Sequence, residues 1–150
     1  MNGYLMQEQD WVAGQDLFIE SFSPENHFGV VFEDDGEAAY FYAIEKDEQG
    51  EGMRILDALH IYESAEREER MDAGDPPLGP KKDLAAKPAD LKIVWTRDWK
   101  KCALVIDGYV HALFDFEAQS GYNINEFPPP NSIWTKGDRK LTDELIQQLF

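Results

Sequence analysis

The chain has 150 residues and a formal charge of −16, from 30 acidic against 14 basic side chains. That balance excludes a binder of phosphate backbones, which needs clustered Lys and Arg, and it disfavours an anionic membrane surface. Apolar residues make up 43% and aromatic residues 13%, which excludes wholesale disorder and predicts a single domain over residues 1–150 with a real core.

The charge is uneven along the chain. Residues 1–63 hold 15 acids and only two bases, Lys46 and Arg54. Like charges kept in one half repel one another, and a one-signed field steers partners of opposite sign. No basic leader followed by a long apolar run opens the sequence, and no stretch approaches roughly 18 apolar residues, so a cytoplasmic protein is expected.

In chain order, Leu17–Phe22 reads as a first strand, closed by Ser23-Pro24-Glu25-Asn26. Gly29–Glu33 reads as the next, and Asp34-Asp35-Gly36-Glu37 as a hairpin turn, because Gly tolerates positive φ. Ala38–Ile44 returns, apolar on both faces, which predicts a central strand. Glu45–Gly52 is a polar loop. Met53–Glu63 fits a helical stripe through Ile55, Leu59 and Tyr62, and also a strand face through Met53, Ile55, Leu59 and Ile61; the β preference of Ile61-Tyr62 favours strand.

Ser64–Asp90 differs in kind. It has no aromatic residue, a charged run at Glu66–Arg70 and the stretch Gly74-Asp75-Pro76-Pro77-Leu78-Gly79-Pro80, so it reads as a mobile insertion. Leu91–Trp95 alternates as a strand. Cys102–Ile106, Asp107-Gly108 and Tyr109–Phe116 make a second hairpin with a two-residue turn. The two Asp-Gly hairpins look alike, as a duplicated ββ unit would, and as any two antiparallel hairpins do. Gly121–Trp134 reads as a loop. Thr142 is placed to N-cap a last helix, with Asp143 and Glu144 in its first turn and Leu145, Ile146 and Leu149 on its apolar stripe.

Candidate chemistry is sparse. Glu33, Asp34, Asp35 and Glu37 form the densest acidic cluster and are the candidate binding residues, as a docking patch for Arg or Lys. Their spacing does not match a calcium loop, and a solvated hairpin tip is the simpler reading. His27, His60 and His111 show no ligand spacing, and a single cysteine gives no zinc signature and no internal disulfide. No metal and no cofactor is expected. Cys102 lies in an apolar strand and reads as a core residue. Motifs for nucleophilic catalysis or phosphate binding are missing. A composite site of His60 with Asp57, or near His111, remains the enzymatic alternative. Pro128-Pro129-Pro130, with Phe127 and Trp134, reads as packing over a sheet end ahead of a polyproline ligand.

Glu20–Pro24, Gly29–Glu37, Tyr40–Ala43, Ile55–Tyr62 and Val110–Phe116 together resemble an uncharacterised bacterial family, the domain of unknown function 2251. The resemblance covers residues 17–63 and 91–127. It implies a compact β-rich domain and no activity. The resulting expectation is an α+β fold, an antiparallel sheet of about six strands with a C-terminal helix on one face. Its expected role is a non-enzymatic module, inhibitor- or immunity-like, engaging a basic partner through its acidic half. A homodimer through an aromatic face is a further expectation.

Overall fold

The computed structural model describes residues 3–47, 49, 52–63, 88–130 and 134–150. The expected insertion at 64–90 therefore lies mostly outside the described residues, and its last two residues already belong to a strand.

Among the described residues there are nine strands and one helix: β1 (Tyr4–Trp11), β2 (Leu17–Phe22), β3 (Phe28–Asp34), β4 (Ala38–Lys46), β5 (Met53–Glu63), β6 (Ala89–Trp95), β7 (Lys101–Ile106), β8 (Tyr109–Asp115), β9 (Ser120–Asn123) and α1 (Asp143–Leu149). They form two antiparallel sheets, ordered β1-β6-β7-β8-β9 and β2-β3-β4-β5. The expected β-rich α+β class holds. The expected count of about six strands is too low, because β1 and β9 lack a strand-like pattern, and the strands divide between two sheets. Met53–Glu63 is a strand, and β4 is interior to its sheet.

Period-2 alternation explains how the sheets face each other. Val30 and Phe32 of β3, Ala39, Phe41 and Ala43 of β4, and Leu59 of β5 point inward. They meet Leu91, Ile93, Trp95, Cys102, Leu104, Ile106, Ala112 and Phe114 of the other sheet in one core. Phe41 stacks on Phe114 at 5.2 Å and Phe28 on Phe116 at 4.7 Å. Two indole N–H groups are satisfied across the core: Trp95 Nε1 donates to Ser21 Oγ at 2.9 Å, and Trp11 Nε1 to Asp34 Oδ2 at 2.9 Å. Between the sheets' edges, Gln7 of β1 donates to the Glu20 carbonyl of β2 at 3.2 Å.

The second hairpin turns on Asp107 and Gly108, at φ 51° and 83°, the two-residue turn its sequence predicts. Thr142 caps α1, accepting from Leu145 N at 3.1 Å. Leu145, Leu149 and Phe150 pack over Ala103, Val105 and Leu113, so the helix covers the outer face of the five-stranded sheet. Among the described residues no helix is long and apolar enough to cross a membrane.

Candidate functional site

The four-stranded sheet has a different outer face. Cross-strand pairing aligns Phe18 with Glu33 and Tyr40 in one row, and Glu20 with Val31, Tyr42 and Ala58 in the next. Phe22, Gly29, Ile44 and Ile55 make a third row, and Lys46 lies opposite Met53. These residues alternate with the core positions and point away from the core. Among the described residues no helix packs over them. Phe18, Met53 and Ile55 are 60%, 62% and 64% exposed. Phe18 stands on one edge strand and Met53 and Ile55 on the other, with the buried Val31 and Ile44 and the half-buried Tyr40 and Tyr42 between them.

Among the described residues, two Lys or Arg side chains lie on or beside this face. Lys46 Nζ sits 3.8 Å from the Phe22 ring centroid, a cation–π contact. Arg54 pairs with Glu45 at 2.7 Å, both partly in solvent, so the pair adds little stability. Burial and then the nearby Glu33 carboxylate hold the Tyr42 hydroxyl above its ordinary pKa, with smaller contributions from Tyr40 and Asp35.

The acidic tetrad does not lie on one exposed surface. Asp34 is 2% exposed. Its Oδ2 accepts from Trp11 Nε1 and from Gly14 N at 2.8 Å, and its Oδ1 from Gly36 N at 2.9 Å. Asp35 Oδ1 accepts from Glu37 N and Ala38 N, both at 2.9 Å. These two aspartates therefore build the turn. Glu37 is exposed at the tip, and Glu33 stands half-buried on the outer face. Parity along β3 carries the signal, since Val30, Phe32 and Asp34 share a face.

His60 sits at the far end of this face, edge-on to Tyr40 at 5.3 Å and to Phe127 at 5.8 Å. Asn125 Oδ1 accepts from Asn123 Nδ2 and from Phe127 N, which turns Asn125 Nδ2 towards His60 Nδ1 at 2.6 Å. His60 Nε2 lies 3.5 Å from Glu63 Oε1, with both side chains buried. The His60 amide donates to the Phe127 carbonyl at 2.9 Å. The chain after β9 thus wraps over this corner.

Asp57 does not join His60. It faces inward at the junction of β5 and β9 and forms a forked pair with Arg139, Nη1 to Oδ2 at 2.7 Å and Nη2 to Oδ1 at 2.8 Å. Thr135 Oγ1 also donates to Asp57 Oδ2, at 2.5 Å, and accepts from Gly121 N at 3.0 Å. Arg139 Nε donates to the Pro128 carbonyl. This network ties Gly121, Pro128, Thr135 and Arg139 to β5. Nothing in the sequence singled out Arg139, a base between Asp138 and Lys140.

His111 is on β8 in the other sheet, buried, with Nδ1 2.9 Å from the Tyr109 carbonyl. His27 is exposed. Cys102 is fully buried, which pushes its thiol well above its ordinary pKa and away from the reactive thiolate. Among the described residues no group of three or more His, Cys, Asp or Glu side chains is arranged to hold a metal ion.

A family model described as "Uncharacterized protein conserved in bacteria (DUF2251)" matches residues 11–150. An "Uncharacterized protein" of Haemophilus influenzae is 35% identical over 124 residues, covering 81% of this chain and 65% of that protein. The match thus spans just under two thirds of that relative's length. No solved structure matches. The chain belongs to the DUF2251 family.

Proposed function

We propose that this member of the family is a non-enzymatic protein-binding module, inhibitor- or immunity-like, that engages a basic partner protein. The observation that carries this reading is the contrast between the two sheets. One outer face is covered by α1, and the other presents Phe18, Tyr42, Met53 and Ile55 among carboxylates. The apolar residues supply area to bury, and the surrounding negative field selects a basic partner and speeds its approach. The same field opposes a second copy of this chain on that face. No specific observation favours the enzymatic alternative, since His60 and His111 are buried and stand in different sheets.

The reading is tested by affinity capture from bacterial lysate with the native chain and with a Phe18→Ser/Ile55→Ser variant, at low and high salt. A basic protein held by the native chain at low salt, released at high salt and lost to the variant is expected. Equal capture by both chains, or capture indifferent to salt, contradicts the reading.

A further inference from the structure

Within that face, we propose that Glu20, Glu33 and Tyr42 form a seat, floored by Val31, for an arginine side chain of a basic polypeptide. The inference rests on the binding-module reading and names the anchor it needs.

Three observations carry it. Pairing of Phe18 with Glu33 and of Glu20 with Val31 makes Glu20 and Glu33 diagonal neighbours on one face. Such neighbours lie roughly 7–8 Å apart, within reach of a single guanidinium. Among the described residues neither carboxylate is in an ion pair, whereas Glu8, Glu45, Asp90, Asp98 and Glu117 each face a base. Two like charges left side by side repel, and a shared cation would relieve that repulsion.

The walls are aromatic as well as anionic. Tyr42 follows Val31 in the same row, and its hydroxyl lies in the field of Glu33. Phe18 stands beside Glu33. The Lys46 ammonium over Phe22 shows that a cation already rests against an aromatic ring on this sheet. A planar guanidinium can stack on Tyr42 while its N–H groups reach both carboxylates. A lysine ammonium is a compact point charge and can do only part of this.

Calorimetric titration of the full chain with oligoarginine and with oligolysine of equal length, at low salt, tests the assignment. Oligoarginine should bind about threefold to fivefold more tightly. Glu33→Gln and Tyr42→Leu should each bring the two affinities together, and Tyr42→Phe should preserve the difference. Equal affinities in the native chain overturn the arginine seat and leave the basic-partner reading standing. Binding of neither peptide overturns both. A preference for arginine that survives Glu33→Gln and Tyr42→Leu places the anchor elsewhere and overturns the seat alone.

Discussion

Asp57 and Arg139 show how a polar pair can be spent on architecture. Both side chains are almost fully buried, at 3% and 1% exposure, and their forked geometry satisfies two charges removed from water. Truncating one partner leaves the other charged and stranded. Arg139→Met should therefore lower unfolding stability in urea by about 3–5 kcal/mol. Combining it with Asp57→Leu should recover much of the loss, and a single variant as stable as the native chain would contradict this role. At this scale the sequence was half legible. Asp34 shares strand parity with Val30 and Phe32, so its inward placement could be read. Arg139 could not, because it lies outside any periodic element and its partner is 82 residues away.

Elements with clean alternation were readable, and those held by long-range pairing were not. β6 alternates along Ala89–Trp95 with Ala89, Leu91, Ile93 and Trp95 buried, and it was expected apart from its first two residues. β1 has only Trp11 buried, and a register shift between Leu5 and Gln7 breaks its periodicity. β9 is Ser120-Gly121-Tyr122-Asn123, in which Gly121 and Asn123 are poor strand formers, and it is placed by pairing with β8. Gly121 has a reason of its own. A Cβ there would lie 2.8 Å from Phe114 Cε1 and 2.9 Å from Asp57 Oδ2. Gly121→Ala should cost about 1–3 kcal/mol by overpacking. It should also weaken the Asp57–Arg139 pair, so its effect combined with Arg139→Met should fall short of the sum in a double-mutant cycle. Full additivity would separate the two.

Over the whole molecule, the charge imbalance and the outer face of β2–β5, over which no helix packs among the described residues, are two aspects of one surface. The sequence showed where the acids lie in the chain, and β4 showed apolar residues on both faces. It could not show that, among the described residues, no helix covers the second face, since a doubly apolar strand is also what a buried strand looks like. Self-repulsion among the exposed acids should make the fold less stable at low ionic strength. The melting temperature should rise by a few degrees as sodium chloride is added and the repulsion is screened. A flat or falling profile would show that the acids are already compensated.

The claim that the outer face of β2–β5 is the binding surface is tested most directly by mapping amide chemical-shift changes in the labelled full chain as oligoarginine is added at low salt. Changes should concentrate on Phe18, Glu20, Val31, Glu33, Tyr42 and Ile55, with α1 and the sheet beneath it undisturbed. Changes centred on the helix-covered sheet, or spread evenly over every exposed acid, would contradict it.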